Sequence, residues 1–393
     1  MDNLRERCGP ERIQVLIIGM LDSIHFARWL DQFANTEIDF LIVASKKYRK
    51  IHPNTISLLN SRLVASYQLA NWSALKSISG YFDFLFFEFL SRLKFMPSRL
   101  KSLERILKKN NFQYLHALEI QGAGYLFDQV NINLRNNAKV IMTNWGSDIY
   151  YFMRFPVHER LIRSLLAKAD FYSAECVRDY DLARKLGFTG TELPCIPNAG
   201  GFQIPPRDNG FVSPSLRNQI IIKGYGGEFG RSDIPISLIP IIASDYPQIQ
   251  FHIYSATNDT IERLNTLPHE LKSRIKVTTL RNRLTHDQML YEFSKSRIYI
   301  GCSESDGIST SFIESLIQGA YPVQTNTSCA NEWVARGSIA SIVGLDSATI
   351  LSEVRKALDD DHLVDMASEI NFKVALEYLE SEVVKKQALQ FYK

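Results

Sequence analysis

Short apolar runs, each followed by a turn and then a stretch with helical spacing, recur along this chain in two series. The first comprises 14–20 (QVLIIGM), 38–43 (IDFLIV), 114–118, 139–142 (KVIM) and 170–174 (DFYSA), with helical spacing at 23–33, 159–168 and 178–186. The second comprises 219–222, 250–254, 276–279, 297–300 and 321–325. Runs this short and this apolar suit strands buried on both faces, and the spans between them are long enough to be crossover helices. The pattern predicts parallel sheets covered by helices. Between the series lies 194–214 (PCIPNAGGFQIPPRDNGFVSP), whose Pro, Gly and Asn content breaks regular structure and marks a linker. The expectation is an α/β chain of two Rossmann-like, doubly wound domains facing a cleft, 1–205 and 206–370, with a helical stretch over 371–393 returning to the first. Ligands of such sheets sit outside the carboxyl ends of the strands, so chemistry is sought in the loops that follow the runs.

Composition narrows the classes further. The 393 residues allow two domains at roughly 150 residues each. With 45% hydrophobic and 22% charged residues the chain is neither disordered nor low in complexity. A net charge of +3 is too small to argue for nucleic acid. The charge is uneven, however: residues 1–200 carry 26 Lys and Arg against 19 Asp and Glu, while 201–393 carry 19 against 23. A basic first half is the sign expected of a part that faces an anionic surface such as a membrane. In 81–109 aromatics crowd the first half, and seven bases against one acid, Glu104, occupy 92–109. That stretch reads either as a surface lying on an anionic leaflet or as a core helix followed by a solvated one.

Five scattered cysteines without CxxC spacing argue against disulfides and structural zinc. A cytoplasmic protein is therefore expected, with peripheral attachment to the inner face of the cytoplasmic membrane as a variant. No uncharged apolar run approaches the ~18 residues of a spanning helix. The opening residues mix acids with bases, unlike a secretory signal.

Two loops carry the densest chemistry. After the run ending at Ile300 comes GCSESDGISTSFIESLIQGAYP, in which Asp306, Gly307 and Ile308 precede the hydroxyl cluster Ser309, Thr310 and Ser311 at a helix start. Free amides and hydroxyls at such a start bind anions. Glu314, about one turn inside, is placed to accept hydrogen bonds from sugar or ribose hydroxyls. The second loop is IIIKGYGGEFGR, where Lys223 ends an apolar run, Gly224, Gly226 and Gly230 follow, and Arg231 closes the segment. Two cations around a glycine-rich loop suit a pyrophosphate, and the glycine spacing misses the dinucleotide fingerprint by one residue.

Asp306, Gly307, Glu314 and Gly319-Ala-Tyr-Pro322 resemble the signature of the group 1 retaining nucleotide-sugar glycosyltransferases of GT-B architecture. That family has two acids separated by seven residues and a Gly-x-Pro after the helix. Asp306 stands here where Glu is usual, and one extra residue separates Gly319 from Pro322. Lys223 and Arg231 look like the family's basic pair, at wider spacing.

The resemblance implies that Lys223, Arg231 and the helix start hold the donor diphosphate, that Asp306 meets the transferred sugar, and that Glu314 meets the ribose. The Tyr254-Ser-Ala and Leu280-Arg281 segments fall where relatives form the nucleobase pocket. On the acceptor side, Asn144-Trp-Gly-Ser-Asp148 resembles the family's Gly-x-Asp loop. His116 matches the first position of a His-x-His-like element, with Leu118 at the second and Glu119 beside it. His116 reads equally as a satisfied core histidine. His25 and Arg28, in the loop after the first run and the helix it opens, are acceptor-contact candidates.

Two further motifs read as structural. Thr285 and Gln288 form a capping box, which makes His286 and Asp287 ordinary first-turn residues. Asp359, Asp360 and Asp361 imitate a metal motif in the setting of a solvated turn.

The implied reaction moves a hexosyl-type sugar from a nucleoside diphosphate sugar to a hydroxyl acceptor, a saccharide or lipid-linked saccharide, with retention. It uses no cofactor and no metal, since cations do a metal's electrostatic work. Surface polysaccharide or glycolipid assembly is the expected setting. The alternatives are a GT-B epimerase or phosphorylase, or a non-catalytic nucleotide-sugar-binding subunit.

Overall fold

Two parallel sheets organise the chain in the computed structural model, which describes residues 12–46, 51–60, 67–69, 99–207, 210–227 and 229–393. The first sheet holds β1 (Ile13–Gly19), β2 (Ile38–Ala44), β3 (Tyr67–Leu69), β4 (Tyr114–Leu118), β5 (Lys139–Thr143), β6 (Phe171–Ser173) and β7 (Thr191–Glu192), in the order β3-β2-β1-β4-β5-β6-β7. The second holds β8 (Gln219–Lys223), β9 (Gln250–Ala256), β10 (Ile275–Thr279), β11 (Ser296–Gly301), β12 (Tyr321–Thr325) and β13 (Ser341–Val343), in the order β10-β9-β8-β11-β12-β13. The chain runs outward from β1 or β8 to one edge, then returns to the centre and builds the other side. That is the doubly wound order, and it puts a reversal between β1 and β4 and again between β8 and β11.

The apolar runs became the central strands because both of their faces are covered. In β1, Leu16 and Ile18 join one buried cluster with Leu115, Ala117, Val140 and Met142, while Val15 and Ile17 join another with Phe40, Ile42 and Ile141. Strand side chains alternate in direction, so a run without polar interruption can only be satisfied by two cores. The edge strands β3, β7 and β13 have only two or three residues each, too short for a sequence period to reveal them.

The chain divides into two compact units, Met1–Gly201 with Val384–Lys393, and Phe202–Val383. The return to the first unit therefore starts at Val384, later than the expected 371. The helix Asp361–Tyr378 buries Val364 and Ala367 in the core of the second unit, and the chain then breaks at Leu379. Only the last residues cross back. Val384, Ala388, Phe391 and Tyr392 pack with Trp29, Phe33 and Phe40 on one face of the first sheet. The crossing after the first unit falls inside the Pro- and Gly-rich linker segment, four residues before the expected boundary.

Among the described residues no helix is long and apolar enough to cross a membrane. The aromatic part of 81–109 lies outside the described residues. Its basic end forms the helix Arg99–Lys109, which buries Ser102, Leu103 and Leu107 and exposes Lys101, Arg105, Lys108 and Lys109.

Candidate functional site

In the second unit, β8 and β11 lie side by side at the reversal of strand order, with Ile222 paired to Ile300. Their carboxyl ends are Lys223 and Gly301, the starting points of the two chemistry-rich loops. The loops also bind each other. Gly230 bridges Ser303, the Arg231 amide donates to the Cys302 carbonyl at 3.1 Å, and the Glu304 amide donates to the Phe229 carbonyl at 2.8 Å. A Cβ at Gly230 would stand 2.0 Å from the Tyr225 carbonyl oxygen, so only glycine permits this closure.

Lys223 Nζ lies 3.4 Å from Asp306 Oδ2, with the side chain only 15% exposed. Burial alone would depress the ammonium pKa, but the Asp306 carboxylate and the Tyr299 and Tyr225 phenols outweigh it, and the pKa rises. A fixed cation thus stands at the end of the central strand. Beyond it begins the helix Thr310–Gln318, whose N-cap Ser309 makes no side-chain cap hydrogen bond. The first-turn amides have no intrahelical partner and remain available to an anion. The helix ends at Gly319 in the left-handed region at φ 84°, as a glycine C-cap should.

Four expectations for this site change. The Gly-rich loop does not turn its amides outward: Gly224 donates to the Tyr254 carbonyl at 2.8 Å, Gly226 to Thr257 Oγ1 at 3.0 Å and Gly227 to Asp259 Oδ2 at 3.1 Å. Gly224 and Gly226 shape the loop and offer no cradle of their own.

Arg231 is held by two carboxylates, Asp233 at 3.0 Å and Glu304 at 2.7 Å, and those hydrogen bonds raise its pKa. The guanidinium is thereby oriented and already neutralised. Asp306 is likewise engaged, accepting from the Gly307 amide at 2.9 Å while facing Lys223, so its first role here is to pair the cation.

Glu314 is nearly enclosed, and its Oε1 lies 2.9 Å from His286 Nε2. The capping box of Thr285 and Gln288 is present, but it places His286 against Glu314, so His286 is not an ordinary first-turn residue. Leu280 and Arg281 follow the edge strand β10. The Leu280 amide donates to the Ala256 carbonyl at 3.3 Å, and Arg281 is exposed. Gly307 and Ile308 are buried under the helix start, with Thr310 and Ser311 half-buried beside them.

The first unit treats its polar groups differently. His116 is fully buried in β4, with Nδ1 2.6 Å from the Tyr392 hydroxyl and Nε2 2.6 Å from Thr143 Oγ1. Burial lowers its pKa to about 3, so it is neutral in the folded chain. The catalytic expectation for His116 is overturned: both ring nitrogens are occupied inside a core.

Glu119 adopts φ 113°, strained for a residue with a side chain, and its carboxylate accepts from the amides of Gly122 at 2.7 Å and Ala123 at 2.6 Å. Asp148 accepts from the Ile120 amide at 2.8 Å and the Trp145 amide at 3.0 Å. Burial raises the pKa of both carboxyls, and for Asp148 the nearby Glu119 raises it further. The pair thus caps the turn that follows β4. His25 packs edge-on to Trp145, and Arg28 donates to the Gly201 carbonyl at 2.7 Å, anchoring the end of the unit.

With this geometry in place, comparison with known proteins gives a consistent answer. The glycosyl transferase 4-like family profile matches residues 70–174. HepE from Anabaena, solved with UDP, superposes with a TM-score of 0.67 at 12% identity, covering 96% of this chain and 99% of its own. TarM from S. aureus, in a structure containing Fondaparinux, alpha-GlcNAc-glycerol and UDP, gives 0.70 at 10% identity, covering 97% and 100%. Sucrose-phosphate synthase from Thermosynechococcus elongatus gives 0.64 at 13%, covering 97% and 98%. The chain has the two-domain GT-B fold of these proteins. No curated protein sequence matches it.

In this GT-B chain, residues invisible to the motif reading complete the second-unit site. His286 is separated from Glu314 by 28 positions and Glu304 from Arg231 by 73, so no local spacing announces either pair. Tyr254 and Tyr299, on neighbouring parts of the sheet, are buried under the helix start, and burial raises the pKa of both phenols. Tyr254 stands in a segment that the resemblance places at the nucleobase pocket, whereas Tyr299, inside SRIYIG, carries no sequence signal of its own.

Proposed function

We propose that the chain transfers a hexosyl-type sugar from a nucleoside diphosphate sugar to a hydroxyl acceptor with retention of configuration, without a metal or other cofactor. The observation that carries this reading is Lys223, a buried cation at the end of β8, beside the uncapped start of the helix Thr310–Gln318. Both elements stand at the strand-order reversal of the second unit, where a doubly wound sheet takes its ligand. The structures of HepE contain UDP, UDP with glucose, and UDP-glucose, which makes uridine diphosphate sugars the first donors to test.

In this reading the bond between the anomeric carbon and the diphosphate oxygen breaks while the acceptor oxygen approaches from the same side. The acceptor's proton passes to the departing diphosphate. Negative charge gathers on that leaving group, where Lys223 and the first-turn amides lie preorganised. Arg231 contributes once the diphosphate competes with Glu304 for it. One such group typically stabilises the transition state by ~3–4 kcal/mol. Glu314 accepts from the ribose; in the first unit His25 is the acceptor-contact candidate, since Asp148 and Glu119 are engaged by the chain's own amides.

The acceptor proposed is a saccharide or lipid-linked saccharide in polysaccharide or glycolipid assembly on the inner face of the cytoplasmic membrane. The exposed bases of Arg99–Lys109 support the membrane part, with ~1 kcal/mol per base near an anionic leaflet. Arg99 itself donates to the Ser45 carbonyl and is kept out of that tally.

The test is incubation with radiolabelled uridine, guanosine and adenosine diphosphate sugars, with and without saccharide acceptors, followed by product analysis. Formation of a glycosidic product of unchanged anomeric configuration, in the presence of chelator, is expected. An epimerised nucleotide sugar, a sugar phosphate, or no turnover of any donor would replace this reading. Liposome flotation tests the membrane part: Lys101, Arg105, Lys108 and Lys109 reversed to Glu should abolish binding to anionic vesicles.

A further inference from the structure

His286 gives the nucleoside end of the site a partner that the motif reading did not supply. Its side chain is 54% exposed while that of Glu314 is 8% exposed, so the imidazole stands on the solvent side of an almost enclosed carboxylate. At 2.9 Å from Glu314 Oε1, Nε2 is placed to donate to the carboxylate in the tautomer that carries its hydrogen there. Both partners are held from behind. The capping box fixes the first turn of the helix His286–Ser294, and that helix packs on Thr310–Gln318, which carries Glu314.

One carboxylate oxygen is therefore tied, while Oε2 has no hydrogen-bond partner among the described residues. A carboxylate fixed in this way accepts well from two adjacent hydroxyls, since its plane no longer rotates when a ligand arrives. A site built around a ligand hydroxyl also rejects the analogue that lacks it, because its buried acceptor is left unpaired.

We propose that His286 is the positioning residue for Glu314, and that this His–Glu pair sets a preference for ribonucleoside over 2′-deoxyribonucleoside diphosphates. The inference rests on the donor reading above and extends it to a residue that acts through Glu314.

Calorimetric titration with UDP, GDP and ADP, with the 2′-deoxy form of the tightest binder and with inorganic pyrophosphate, tests it. The wild type should prefer the ribonucleotide by at least about tenfold. His286→Ala should cut that preference by at least about fivefold, weakening the ribonucleotide alone and leaving pyrophosphate affinity and Tm as in the wild type. His286→Gln can donate to the same oxygen and should restore most of the preference. In turnover, KM for the donor should rise in His286→Ala while kcat holds.

A wild type without ribose preference overturns the proposal and leaves the donor reading standing. So does a His286→Ala variant that keeps the preference or loses pyrophosphate binding equally. A wild type that binds none of the three nucleoside diphosphates overturns both.

Discussion

In the first unit the strand beyond the reversal of order ends at Leu118 and Glu119, and the carboxylates there accept from the chain's own amides. In the second, the corresponding strand ends at Gly301, and the loop after it leads to a helix start with no capping side chain. The topologies correspond strand for strand from β1 to β6 and from β8 to β13. What differs is whether the polar groups at the carboxyl ends are already satisfied. In the first unit they close a turn and a core. In the second, a buried cation and a helix start without a capping side chain stand there, which the proposed function assigns to a ligand. One fold thus yields a self-sufficient end and a receptive one, and side-chain chemistry decides which is which.

Removing the cation should break that contrast most strongly. Lys223→Ala is expected to lower turnover by about 10²–10³. Its Tm should stay near the wild-type value, because Asp306 is partly solvated and loses only one partner. Steady-state kinetics on the best donor, with a thermal melt alongside, gives both numbers, and undiminished turnover would remove Lys223 from the reaction.

His116 tests the other side. His116→Phe leaves the Tyr392 hydroxyl and Thr143 without their imidazole and should cost about 2–3 kcal/mol of stability by denaturant unfolding. Turnover per folded molecule should hold within about threefold, since the ring is structural in a core. A collapse of turnover in a well-folded variant would return His116 to the mechanism.

Glu314→Gln keeps the shape of the site but removes a charge-assisted acceptor worth roughly 1.5–3 kcal/mol. Calorimetry with the bare nucleoside diphosphate should show the loss, and unchanged affinity would make Glu314 a helix residue only.

Acidification sharpens the comparison through linkage. Burial lowers the His116 pKa to about 3, so between that value and about 6.5 the unfolded chain binds a proton there and the folded chain does not. This contribution is fully present above about pH 6.5 and is lost as pH falls towards 3. The stability difference between wild type and His116→Phe should shrink by about 2 kcal/mol between pH 8 and pH 5. A difference that stays flat over that range would show that the ring is not held neutral.

The smallest effect concerns Arg231. Glu304→Gln loosens one of its two carboxylate partners and should tighten diphosphate binding by about two- to fivefold, readable by calorimetry with pyrophosphate. Weaker binding would mean that Glu304 orients Arg231 for the ligand.

The sequence alone determined the parallel sheets and the order of their main elements. Apolar runs such as IIIK and SRIYIG can be satisfied only as doubly covered strands, and in an open α/β sheet the loops after central strands are where ligands sit. The placement of Lys223 at a strand end and of Glu314 in the helix that follows a strand was legible because each stands at a fixed offset from such a run. Tertiary structure alone decided the rest. Whether His116 is a ligand contact or a core residue depends on Tyr392, 276 positions away, and whether Arg231 is free depends on Glu304. The return of the last ten residues was set by aromatic packing on Trp29 and Phe33, which no local period encodes. Local spacing fixes which residues share an element, but a polar group's chemistry depends on its partners in space, and those arrive from distant parts of the chain.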